Sequence, residues 1–154
     1  MYITARADYA IRAMAELAVL GAEQRRAVLA VGTEANIPVK FLEAIFGDLV
    51  KAQLVTSKRG AGGGYALARP AAHISIADIV RAVDGPLAAV GGRAPEETVY
   101  TGASAALTNV WIALRSAMRD VLEATSLDDV VTGNFSPDVQ RWLAADGAWQ
   151  RRSS

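Results

Sequence analysis

The chain has 154 residues, 52% of them hydrophobic, with 16 Lys or Arg against 16 Asp or Glu, which is enough apolar material for one packed domain plus an oligomerisation element. It contains no cysteine and one histidine, His73; disulfides, thiolate metal sites and cysteine nucleophiles are excluded, no metal site is expected, and histidine chemistry is disfavoured. A net charge of zero excludes a protein that is basic all over, so any nucleic-acid contact has to come from a local basic surface.

The stretch TARADYAIRAMAELAVLG, residues 4–21, has Thr4 as an N-cap, and Tyr9, Ala10, Ala13, Met14, Leu17 and Ala18 at helical spacing, and ends at Gly21. Arg6, Asp8, Arg12 and Glu16 interrupt every apolar run there, so the reading is a cytoplasmic protein with no targeting signal and no membrane partner. A short helix over residues 28–35 follows, then a turn at Asn36 and a second helix in which Pro38 suits the first turn. Gly32 inside the short helix costs about 1 kcal/mol relative to Ala and points to a close helix crossing.

At 100° per residue the second helix separates into two sides. Leu42, Ile45, Phe46 and Leu49 make a core stripe; Lys40, Glu43, Ala44, Gly47 and Lys51 make a flat face that either lies against something polar or is simply solvated. Two strands, residues 54–58 and 65–68, then form a hairpin around KRGAGGG, and Ser75 caps a helix with Asp78 in its first turn and Ile74 stapled onto Ile79, ending at Gly85-Pro86.

Residues 87–102 lose all periodicity and read as a loop. A long helix over residues 104–124 carries Leu107, Val110, Trp111, Leu114, Met118, Val121 and Leu122 as a continuous stripe that needs a partner to bury it. Ser126 and Ser136 open two short helices, and the final RRSS reads as frayed.

The glycine-rich loop carries the functional argument. Nucleotide-binding loops lead from a strand into a helix N-terminus, which binds the phosphate; this one leads into YALARP, a strand stopped by Pro, so that reading fails. An inert turn is the bland alternative, although a tight turn needs one or two glycines rather than four. The order helix, helix, turn, helix, hairpin is that of a winged helix-turn-helix. There the main chain at Gly62, Gly63 and Gly64, together with Lys58 and Arg59, meets a sugar-phosphate backbone or a narrow groove.

Three stretches, ARADYAIRAMAELA, IPVKFLEAIFGDLVKAQLV and KRGAGGGYALARPAAHISIADIVRAVDGP, spread over most of residues 3–86, resemble the Rrf-two family of bacterial winged-helix regulators, to which IscR, NsrR and CymR belong. The resemblance implies a mainly α fold with a small β-hairpin: a winged helix-turn-helix domain (residues 1–86), a variable sensor segment (87–103), a dimerisation helix (104–125) and short C-terminal helices with a tail (126–154). It implies a homodimeric regulator of transcription, usually a repressor, that binds double-stranded DNA at a pseudo-palindromic operator. Lys40 and Glu43 fall where the family places base-reading side chains, and Arg59 on the wing Arg that meets DNA; Lys40 stands where IscR-like members commonly have Ser.

The cysteines that hold iron-sulfur clusters in some members have no counterpart around Gly92, Thr98 and Ser104. Asp8 matches a ligand position of NsrR-like members, but one carboxylate cannot hold a cluster, and a first-turn acid favours the helix dipole. The expectation is a cluster-free, non-enzymatic member with no cofactor that responds to another effector, small molecule or protein, read in a space lined by residues 87–102 and Trp111. The bland alternative makes Trp111 dimer core. From another functional class, a winged-helix module that docks a metabolic enzyme or other protein is the second reading.

Overall fold

The computed structural model describes residues 3–21 and 24–150. The frayed tail expected at residues 151–154 lies outside the described residues. Helix α1 (Ala5–Leu20) buries Ala7, Ala10, Ala13, Met14 and Leu17 and is capped by the Thr4 hydroxyl, which accepts from the Ala7 N–H. The small side chains allow close approach, and α2 (Val28–Ala35), α3 (Val39–Lys51) and α4 (Ile76–Asp84) all pack against it. Phe46, Leu42, Ile79 and Val31 fill the space between, all with no exposed surface.

The turn between α2 and α3 is shaped by Asn36, whose left-handed backbone (φ 53°, ψ 52°) a short polar side chain tolerates. The close crossing expected at Gly32 is present: a Cβ there would stand 2.9 Å from the Ile37 carbonyl oxygen and 3.1 Å from Val39 Cγ2. Pro38 sits at the N-cap of α3 rather than inside its first turn, because its ψ of 127° is not helical.

Strands β1 (Val55–Lys58) and β2 (Gly64–Leu67) pair antiparallel, Val55 opposite Leu67 and Lys58 opposite Gly64. A third strand-like rung at Arg26, which the sequence pattern did not signal, exchanges two backbone hydrogen bonds with Tyr65 at 2.9 and 2.8 Å. The wing is therefore tied on both sides, to α3 through the chain and to the lead-in of α2 through this rung. Helix α4 begins with the capping box expected at Ser75 and Asp78 and stops at Gly85.

Residues 87–106 are more ordered than a bare loop: Val90 and Arg93 form a bridge, Pro95–Glu97 a 3-10 turn with Pro95 buried, and Gly102–Ser104 another. That second turn takes the residues expected to begin the long helix, so α5 runs Leu107–Leu122. No residue of α5 is fully buried by its own chain, and Val110 stays 54% exposed.

After α5 the chain returns. Ile76 N–H donates to the Thr125 carbonyl (2.9 Å) and Leu127 N–H to the Ile74 carbonyl (2.8 Å), so α6 (Leu127–Thr132) is stitched beside the start of α4. Leu127 is completely buried in the same core as α1 and α4. Helix α7 (Pro137–Leu143) follows, opened by Ser136 with Pro137 at its first position, and leaves Trp142 55% exposed.

Candidate nucleic-acid interface

Burial of Leu42, Ile45, Phe46 and Leu49 turns the opposite side of α3 outward, and Lys40, Glu43, Ala44, Gly47 and Lys51 are all exposed on it. The Lys40 ammonium lies 4.9 Å from the centroid of the Phe41 ring, itself 46% exposed, which holds a cation at the N-terminal end of the helix. Lys51 is less free: it pairs with Asp48 at 3.3 Å, and Asp48 also binds Arg6.

At the wing, Lys58 ends β1 and Arg59 opens the tip, both exposed. The four glycines divide. Gly60 and Gly62 have positive φ (86° and 70°) and open space where a side chain would be, whereas a Cβ on Gly63 would meet the Lys58 carbonyl oxygen at 2.4 Å and one on Gly64 the Arg26 carbonyl oxygen at 2.5 Å. The number of glycines thus has a cause inside the fold: two of them are required by close backbone approach, so this turn takes more than the one or two that a tight turn needs. The space left by the missing side chains of Gly63 and Gly64 is filled by this chain's own backbone.

Arg25, which sequence reasoning passed over, straps the base of the wing: its guanidinium donates to the carbonyls of Thr56 and Gly64 (3.3 Å each) and to the Thr56 hydroxyl (3.2 Å). Arg26 beside it pairs with Glu34. Two consecutive arginines immediately before a helix were the available signal. The result is a hairpin whose tip projects while its base is held by backbone and side-chain bonds.

Trp111 meets the segment with which it was expected to share a space. Its indole N–H donates to the Tyr100 hydroxyl at 3.2 Å, and with Leu87, Val90, Pro95 and Leu114 it lines a cavity of about 380 Å³. Next to it Arg115 pairs with Glu96 at 2.6 Å. A backbone hydrogen bond, and after it Arg115, hold the Glu96 carboxyl below the usual carboxylate range.

Comparison with known proteins returns a family of winged-helix regulators of transcription. The Rrf2 family, described as iron-dependent transcriptional regulator, matches residues 3–133. The chain belongs to the Rrf2 family. Rv1287 of Mycobacterium tuberculosis is 45% identical over 146 residues, which cover 95% of this chain and 90% of that one. The HTH-type transcriptional regulator CymR of Bacillus subtilis is 32% identical over 132 residues, 86% of this chain and 91% of CymR. The solved structure of that CymR, the global cysteine regulator of B. subtilis, superposes with a TM-score of 0.73 at 30% identity, covering 87% of this chain and 98% of CymR. T. potens IscR superposes with a TM-score of 0.68 at 25% identity over 98% of this chain and 97% of its own.

The mainly α fold with a two-stranded hairpin is thus that of the Rrf2 winged-helix regulators. These relatives are named as regulators of transcription rather than as enzymes, which favours the DNA reading over a protein-docking module. Among the described residues no helix is long and apolar enough to cross a membrane.

The iron in the family's description does not fit the donors of this Rrf2 member. The chain has no cysteine, and among the described residues no three His, Asp or Glu side chains gather where one metal ion could be held. Asp8 is an exposed carboxylate of the first turn of α1, paired with Arg12 at 3.1 Å.

Proposed function

We propose that this Rrf2 member is a cytoplasmic, homodimeric repressor that reads a pseudo-palindromic operator. Lys40 and Glu43 read base edges in the major groove, while Lys58, Arg59 and the main chain at Gly62 follow the adjacent backbone or minor groove. Gly63 and Gly64 shape the tip that makes this contact, and Lys51, shared with Asp48, adds positive charge near the phosphates. The single observation that carries the reading is the exposed face of α3 beside a wing whose projecting tip begins with two exposed cations.

The dimer forms through α5, whose apolar side its own chain leaves incompletely covered. Its signal is not an iron-sulfur cluster, and the segment 87–103 with Trp111 joins the reading head to that dimer helix. Selection of bound sites from random duplex DNA tests the reading. The expected outcome is an inverted repeat with half-sites about one helical turn apart, centre to centre; binding without any sequence enrichment overturns it.

A further inference from the structure

The DNA-reading surfaces leave one concentration of positive charge unused. Arg81 of α4, Arg93 of the bridged turn that follows, and Arg115 and Arg119 of α5 line a single cleft of about 660 Å³, together with Gly85 and Pro86. That size suits a small ligand. Arg115 is the most enclosed, with 18% of its side chain exposed, and faces Glu96; Arg81 binds Glu123, which lies 4.0 Å from Arg119.

Two carboxylates therefore face four guanidinium groups, and Arg93 makes no ion pair among the described residues. Guanidinium groups stay charged at any physiological pH, so their convergence from three separate elements carries a standing repulsion. An apolar occupant would leave that excess in place, and a single negative charge would cancel only half of it. A ligand with two or more negative charges would cancel it and would match the paired donors of each Arg.

We propose that this cleft binds a small polyanion, a polycarboxylate or a phosphoester, and that its occupancy sets the angle between α4 and α5. Arg81 belongs to a helix whose Ile79 and Val83 are buried in the winged domain, while Arg115 and Arg119 belong to α5. A polyanion bridging them takes Arg81 away from Glu123 and draws the two helices toward one spacing. The regulatory half of this inference rests on the reading of the protein as a DNA-binding dimer; the binding half does not.

Calorimetric titration of the full chain at constant ionic strength, with citrate, inorganic pyrophosphate and acetate as probes, is the test. Saturable binding of citrate or pyrophosphate is expected, and none of acetate; which polyanion binds distinguishes the carboxylate from the phosphate class. Arg93→Ser and Arg119→Gln, both at exposed positions, should each weaken binding about tenfold or more. Absence of saturable binding for both polyanions, or equal binding by both variants, overturns the site.

Fluorescence anisotropy with the selected operator, again at constant ionic strength, should show a polyanion-dependent change in DNA affinity that the two variants lose. Polyanion binding with unchanged DNA affinity overturns the regulatory half. A lower DNA affinity and salt slope of the variants without polyanion would make the cleft a DNA-backbone contact instead and overturn the proposal. Failure to bind any DNA would fall on the reading as a regulator and leave the titration result standing.

Discussion

The rings of Phe46 and Tyr65 stack with centroids 4.1 Å apart and planes within 8° of parallel, so α3 and the second strand of the wing share one packed contact. Phe46 is fully buried, and Tyr65 is also the residue paired to Arg26. The angle between the helix that would enter a groove and the hairpin beside it is thereby set by an aromatic pair with little room to slide.

Tyr65→Ala should therefore act on binding as well as on stability. Loss of the stack is expected to lower unfolding free energy by about 2 kcal/mol, and to raise amide exchange in the hairpin more than in α1. Operator affinity should fall even where the protein is fully folded. A variant with unchanged hairpin exchange and unchanged affinity would show that the stack does not position the wing.

Arg59→Ala and Lys40→Ala should separate two kinds of contact. If Arg59 meets phosphate, its loss weakens binding to all sequences alike and reduces the salt slope by about one unit. Lys40→Ala should cost about 1–3 kcal/mol at one operator position and relax the preference there. Competition titrations over a panel of single-base operator variants at several salt concentrations measure both.

Two glycine substitutions should differ sharply. Gly64→Ala forces a Cβ to within 2.5 Å of the Arg26 carbonyl oxygen at a φ of 123°, and should lower stability by about 2 kcal/mol or more as the third rung separates. Gly62→Ala meets no atom within 4 Å, so only the positive-φ cost of about 1 kcal/mol applies. Thermal melts of the pair decide it: equal melting temperatures would contradict the close approach.

Val110→Asp should give monomers. Val110 is more than half exposed on one chain, so a charge there leaves the monomer's fold nearly untouched but costs several kcal/mol once buried in a dimer seam. Sedimentation at micromolar concentration reads the outcome; a stable dimer of this variant would exclude that side of α5 from the interface.

Protein purified without oxygen is expected to be colourless and free of stoichiometric iron and sulfide, since the chain supplies no thiolate. Metal analysis together with the visible spectrum checks this.

Much of the fold was legible because its signals are local. The Thr4 cap, the apolar spacing of α1, the Ser75–Asp78 box and the punctuation at Gly85-Pro86 each depend on neighbours within a turn or two. The two sides of α3 followed from angle alone, and burial follows the same division. What escaped depends on residues far apart in the chain. The Arg26–Tyr65 rung is a single pair with no periodicity, the docking of α6 (itself expected as a short helix after Ser126) onto the core rests on one buried side chain, Leu127, and the cleft arginines are scattered between residues 81 and 119. No window of sequence contains any of these arrangements. At the wing the glycines were visible, but their division between outward and inward positions was not, because it depends on where the Arg26 backbone runs.

The return of the chain to place Leu127 beside Ile74 has a consequence for the order in which the molecule is made. On a ribosome the winged head emerges first, yet the last piece of its core is synthesised only after all of α5 has been added. The head therefore waits for the arm: it closes when the arm is already attached, and the newborn chain passes through a stage in which Ile74 and its neighbours lack their cover. A chain shortened anywhere before residue 127 lacks Leu127 and the hydrogen bond from its N–H to the Ile74 carbonyl.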